Sequence, residues 1–320
     1  MTTCCNTAPR RGDDLSARAL SRPPRDLWLG AAIAATLVFW SSAFVAISIA
    51  VAEIPPIELA LFRFLVASAA IGILVALRRR PVRIRRKHRS GFLLMGLAVA
   101  GYQVTLNIGQ QTVASGMASL LIATVPVMTV VMAMIALRER LAVRGWIGLG
   151  LAFAGSVALV VSRNHDFALN SGALFILLAA FLGAFYTVVQ KRHATDYDAV
   201  SLAAYSIWLA TLLLLPVLPA TIETLAAAST RAILAAVYLG VFSSAIGYAT
   251  WAFALTRLTA SRVSSLLYLI PPLVFAEAWL ILGTTPDINA VLSGIVILSG
   301  VALVNRRRRK EIGETAIEQT

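Results

Sequence analysis

Charge is scarce in this sequence. Only 13% of its 320 residues are Asp, Glu, Lys or Arg, about half of the roughly 25% usual in a soluble domain. Histidine numbers three and cysteine two. Cys4 and Cys5 are adjacent and cannot form an ordinary structural disulfide, so there is no secreted disulfide framework. His88, His165 and His193 all fall in predicted loops. Glu277 is the one carboxylate well inside an apolar run. The sequence therefore offers no metal cluster, no paired-acid site and no G-x-S-x-G turn. It has no G-x-x-x-x-G-K-[ST] loop either, which argues against ATP-driven pumping by this chain. No catalytic residue, metal ligand or cofactor is assigned.

What is present is apolar. The sequence is 59% hydrophobic with a mean hydropathy of +0.81, the composition of a polytopic all-α membrane protein. Ten apolar runs approach the ~20 residues that a spanning helix needs. They lie near 27–51, 57–77, 91–111, 114–137, 145–162, 171–190, 199–219, 232–255, 260–283 and 288–305. Residues 1–26 are polar and arginine-rich and read as a tail, not a cleavable signal peptide. Residues 306–320 form a second, basic tail.

Lys and Arg divide sharply between the two sides. With ten spans, 25 of the 28 fall in the tails and the loops after spans two, four, six and eight. Only Arg163 and Arg231 fall on the other side, and Arg63 lies within span two. The positive-inside rule then puts both termini in the cytoplasm of a cell bounded by an inner membrane. Basic runs of this kind set topology and meet lipid headgroups, so a nucleic-acid partner is not expected.

One apolar phrase occurs twice, 146 residues apart. VASGMASLLIATVPVM (Val113 to Met128) returns as TASRVSSLLYLIPPLV (Thr259 to Val274). Ala114, Ser115, Ser119, Leu120, Leu121 and Pro126 match Ala260, Ser261, Ser265, Leu266, Leu267 and Pro272. Each copy places proline in mid-span, which weakens helix bonding and predicts hinges at Pro126, Pro271 and Pro272. Freed backbone groups at that depth are tolerated only inside protein or along a cavity. Five spans per half, an odd number, predict two inverted five-helix repeats, 27–162 and 171–305.

These residues carry a resemblance. FWSSAFVAI (Phe39 to Ile47), Arg63 in LALFRF, the repeated SLL…P phrase, Glu139 in ALRERL and the endings GSVALV and SGVALV share order and spacing with one family. The chain resembles the drug/metabolite transporter superfamily, in its ten-span branch with two EamA domains, over roughly residues 30 to 306. That resemblance implies a secondary carrier of small metabolites such as amino acids, amines or drugs, often an exporter. One departure stands out. The family usually carries a second Glu after span nine, where this chain reads Gly-Thr-Thr-Pro-Asp with Thr284 or Thr285 in that place.

Candidate site residues follow from polar and aromatic groups within spans. Gln103, Asn107, Gln110 and Gln111 form one helical stripe of span three. Trp40, Ser41 and Phe44 in span one, Tyr186 and Gln190 in span six, and Ser244, Tyr248 and Trp251 in span eight supply rings and hydrogen-bonding groups. Tyr268 belongs to the second phrase alone. Arg63 and Glu277 each sit about six residues, or ~9 Å, below the outer boundary. They are expected to pair with each other, or to bind a substrate carboxylate (Arg63) and a proton (Glu277). Glu139 is expected to close the cytoplasmic end of span four. Gly148 with Ala152, and Gly150 with Ala154, predict close packing of spans five and ten as scaffold or dimer contact.

The leading expectation is a secondary transporter working by alternating access. The alternatives are a facilitative or proton-coupled importer, a membrane-embedded enzyme, and a non-transporting receptor. The expected partners are a small-molecule substrate and the lipid bilayer. Protons are a candidate coupling ion and a second copy of the chain a candidate partner.

Overall fold

The computed structural model describes residues 25–78, 84–161, 171–282 and 288–305. The two tails beyond Arg25 and Asn305, Arg163, Thr284 and Thr285 lie outside the described residues. Every regular element among the described residues is helical. In hydrocarbon, each backbone N–H and C=O must be satisfied within its own segment, and apolar runs of this length meet that demand as helices.

The first half comprises α1 (Arg25–Ala50), α2 (Pro56–Arg78), α3 (Arg89–Gln110), α4 (Ser115–Ile122), α5 (Val125–Ala136) and α6 (Val143–Val161). The second comprises α7 (Ser171–His193), α8 (Ala199–Leu214), α9 (Leu218–Ala227), α10 (Thr230–Tyr238), α11 (Gly247–Leu255), α12 (Ala260–Ser265), α13 (Ile270–Leu282) and α14 (Ile288–Asn305). Among the described residues, 7 segments are long and apolar enough to cross a membrane. The apolar stretches Val143–Leu159 and Val291–Asn305, in α6 and α14, are shorter. Large apolar side chains are exposed on helix after helix, among them Leu77, Ile135, Leu174 and Leu280. Such a surface suits lipid.

Both copies of the repeated phrase are broken helices. The first breaks at Ala123 and Thr124, and Pro126 occupies the opening turn of α5. The second passes through a 3-10 segment, Leu266–Leu269, before Pro271 and Pro272 open α13. The prolines therefore begin the second half-helices and do not kink a continuous one. A missing N–H costs least in a helix's first turn, where it has no partner.

Packing follows an exchange rule between the halves. Helix α1 packs on α11 as α7 packs on α3. It packs on α13 as α7 packs on α5. Helix α2 packs on the π-helical segment Leu239–Ile246, which joins α10 to α11, as α8 packs on α3. The pairs α2–α8 and α6–α14 map onto themselves, and α5–α12 maps onto α4–α13.

At the last seam, a Cβ on Gly148 would lie 2.7 Å from the Gly300 carbonyl oxygen, and one on Gly300 2.6 Å from the Ala152 nitrogen. Gly148 and Ala152 are thus used up inside the chain. Gly150 and Gly294 meet open space. Hydroxyl pairs join other helices, Thr36 with Thr250 at 2.6 Å and Ser68 with Thr211 at 2.7 Å. Outside the spans, Glu53 accepts from the Ser229 N–H and hydroxyl, both at 2.7 Å. Those bonds hold its carboxyl below the ordinary value.

Candidate functional site

The exchange-related helices enclose a central cavity. Trp40, Phe44 and Ile47 of α1, Arg63 of α2 and Tyr102 and Gln103 of α3 line it from the first half. Ile122 and Val125 enter from either side of the first helix break. From the second half come Tyr186 and Thr187 of α7, Ser243 of the π segment, Tyr248 and Trp251 of α11, and Leu267 and Ile270 beside the second break. The space open to the centre of a water-sized sphere is about 60 Å³. One water needs roughly 10–15 Å³ by that measure, so this space holds only a handful.

Arg63 dominates the wall. It is 1% exposed. Its Nη1 donates to Gln103 Oε1 at 2.7 Å, Nε to Ser244 Oγ at 3.1 Å and Nη2 to Ser243 Oγ at 3.2 Å. The π turn, wider than an α turn, brings two neighbouring serines to the same guanidinium. Gln103 Nε2 passes the network on to the Tyr248 hydroxyl at 3.1 Å. A guanidinium has five N–H donors, and three of them are used here. Among the described residues, no carboxylate lies within ion-pair distance of Arg63.

The adjoining wall is aromatic. The Trp40 ring lies 5.0 Å from Trp251 and 5.9 Å from Tyr248, and Tyr186 lies 5.6 Å from Tyr248. Trp40 Nε1 donates to the Ser243 carbonyl at 3.0 Å, fixing the indole. Gly247 makes room for that ring, since a Cβ there would come within 2.5 Å of Trp40 Nε1. Ring faces attract cations, and a guanidinium attracts anions. One small chamber thus offers both.

Trp40, Phe44, Arg63, Gln103, Tyr186, Tyr248 and Trp251 meet at this cavity as the residue pattern suggests. Others do not line it. Asn107 Nδ2 donates to the Pro56 carbonyl at 3.0 Å, tying α3 to the start of α2. Gln110 Nε2 donates to the Phe44 carbonyl, and Gln111 is exposed. Gln190 stands behind the wall, its Nε2 donating to the Tyr186 hydroxyl at 2.6 Å. Tyr268 packs with Ala123, Leu149 and Ile297 in a separate cluster. The 3-10 segment aims Leu267 at the cavity and Tyr268 away from it.

The expected Arg63–Glu277 ion pair is not formed. Glu277 Oε1 instead accepts from the Ser41 hydroxyl at 2.5 Å, outside the cavity lining. Both charges find neutral polar partners on helices nearer to hand. Ser243 and Tyr102 were not singled out by sequence reasoning. Period 3.6 puts Ser244 on the inner face, and only the π turn adds Ser243.

The EamA-like transporter family matches the chain twice, over residues 27–161 and 170–306. The chain belongs to this family. A probable terminal-alkyne amino-acid exporter of Streptantibioticus cattleyicolor is 34% identical over 287 residues, 88% of this chain and 95% of that protein. An uncharacterized transporter of Bacillus subtilis, YdfC, is also 34% identical, over 82% of this chain and 86% of its own length. A probable amino-acid metabolite efflux pump of Escherichia coli is 25% identical over 83% and 90%. A solved crystal structure at 20% identity has a TM-score of 0.66, covering 85% of this chain and 96% of its own. That last likeness concerns the fold. This EamA chain is a multi-pass membrane protein of a transporter family, and the names of its relatives point to transport, not to an enzyme.

Proposed function

We propose that this EamA chain is a secondary active exporter of small zwitterionic metabolites of the amino-acid kind. It works by alternating access across the bacterial inner membrane, with both termini in the cytoplasm. The observation that carries the reading is Arg63, a buried cation with unused N–H groups and no described carboxylate partner, in one cavity with a box of rings. A buried unpaired charge is costly. A substrate carboxylate relieves that cost, the ring faces of Trp40, Trp251 and Tyr248 receive the ammonium, and Ile47, Ile122 and Leu267 cover an apolar side chain. The names of the relatives agree with this substrate class.

The exchange rule supports ten spans as two inverted repeats, 27–162 and 171–305, since it swaps each helix for its counterpart five spans on. A chamber of about 60 Å³ is small beside ligand sites of roughly 300–1,000 Å³. In this reading the structure is a closed stage of the cycle. The half-helices that begin at Pro126, Pro271 and Pro272 are the hinges that widen it. Glu277, held by Ser41, is the site of a coupling proton. Gly150 and Gly294, open to their surroundings, are the candidates for contact with a second copy.

The test is flux of labelled neutral amino acids in liposomes carrying the purified chain. Arg63→Gln is expected to lose about 10- to 100-fold in rate, the worth of a charge-assisted hydrogen bond, with less than full rescue by Arg63→Lys. Wild-type rates in Arg63→Gln, or flux of lipophilic cations with none of amino acids, overturn the reading.

A further inference from the structure

We propose that Glu139 is the latch that holds the cytoplasmic end of the pathway shut, a latch with no counterpart at the other end among the described residues. The first observation is a strained turn. Beyond α5, Leu137 N–H bonds the Ala133 carbonyl at 2.9 Å, and Glu139 N–H reaches back to the same carbonyl at 3.2 Å. Between them Arg138 holds φ at 56°, the single positive φ on a non-glycine residue among those described. Helix ends commonly put glycine at this position. A residue with a Cβ is strained there, and strain of this kind persists where the surroundings hold it.

The turn aims Glu139 across the boundary between the halves. Its carboxylate accepts from the Ala260 N–H at 2.9 Å, the Ser261 N–H at 3.1 Å and the Ser261 hydroxyl at 2.6 Å. One side chain from the end of the first broken span thus caps the first turn of the second. Both spans line the cavity, through Ile122 and Val125 on one and Leu267 and Ile270 on the other. Nearby, Lys191 Nζ at the end of α7 donates to the carbonyl of Leu255, the last residue of α11, and to that of Leu258 just beyond it, each at 2.7 Å. Four spans are tied together at this end, which the Lys and Arg distribution assigns to the cytoplasm.

The other end is built differently. In the repeat register, Ala114 and Ser115 stand where Ala260 and Ser261 stand. Among the described residues, no carboxylate takes the N–H groups at the start of α4. Ser115 and Gln110 donate instead to the Phe44 carbonyl, at 2.9 and 3.0 Å. The sequence after α13 offers Thr284 and Thr285 where the first half has Glu139. Loading from the cytoplasm therefore has to break the Glu139 bonds first.

The latch rests on the alternating-access reading, and its test needs no substrate. In full-length protein with Cys4 and Cys5 changed to Ser, a single reporter, Ile122→Cys, sits 3% exposed on the cavity wall. A membrane-impermeant maleimide is applied from either face of oriented vesicles. Glu139→Gln is expected to raise labelling from the cytoplasmic face about tenfold, the loss of one charge-assisted bond, and to lower labelling from the outer face. Arg138→Gly, which keeps the turn, is expected to label like the parent. Labelling that stays unchanged, or rises equally from both faces, overturns the latch. Where Glu139→Gln does not fold, Ser261→Ala removes one of the three bonds and is expected to give a smaller rise on the same face; no rise overturns the latch. A parent that responds to added amino acid while Glu139→Gln changes nothing sinks the latch alone. A latch effect with no response to amino acid sinks the substrate reading alone.

Discussion

A guanidinium that is 1% exposed has given up nearly all its water. Three neutral oxygens return part of that loss to Arg63. The remainder is available to an anionic ligand, so in the exporter reading substrate selection falls to Arg63 and not to the more numerous aromatic residues. Glu277 is a different case. Its Oε1 meets Ser41, and its Oε2 is buried without a hydrogen-bond partner among the described residues. A protonated carboxyl can share that pocket with a serine at less cost than a carboxylate. Glu277→Gln is therefore expected to keep the fold and abolish the dependence of flux on an imposed pH gradient. Unchanged gradient dependence in the liposome assay removes Glu277 from the coupling step.

At the scale of elements, the α6–α14 seam shows why glycines are not interchangeable. Gly148 and Gly150 are two residues apart, and helical geometry turns them to different sides. A Cβ at 148 meets a carbonyl oxygen at 2.7 Å, while one at 150 meets nothing within 4 Å. Gly148→Leu is expected to cost about 1–3 kcal/mol of stability, the range for overpacking a close contact, and Gly150→Leu close to none. Thermal unfolding of the purified variants in detergent checks both, and equal melting points contradict the seam. The same scale separates the two broken spans. The first resumes as helix after two residues, whereas the second winds through four residues of 3-10 helix. That tighter winding carries Tyr268 off the cavity face. A helical wheel drawn at 3.6 residues per turn cannot anticipate it.

Across the whole molecule, much was legible before any coordinates. The duplicated phrase, the apolar runs and the few polar groups among them point to a helical membrane protein, and seven of the expected site residues meet at one cavity. What escaped has a common physical source. Asn107, Gln110 and Gln190 are amides that could serve a ligand or a neighbouring helix, and residue type does not say which. Ser243 depends on a π turn whose sequence, LGVFSSAI, looks like ordinary helix. The direction of the chain through the bilayer rests on the Lys and Arg distribution. Single cysteines placed in the two tails are expected to react with impermeant reagent only when the cytoplasmic face is exposed. Labelling of both tails from outside reverses the orientation, and labelling of one tail from each side breaks the inverted-repeat assignment.

The π segment bears also on how the two halves came to differ. Its counterpart α3 is regular helix through its full length. A wide turn in one copy alone is the arrangement that one residue gained inside a helix would give if the flanking turns kept their place. Loss of one residue from Leu239–Ile246 would be absorbed as ordinary helix, without rotating Tyr248 or Trp251. It would remove one serine from Arg63. A single codon thus separates two degrees of support for the buried cation, a short evolutionary step by which related chains can retune how strongly they hold a negative charge.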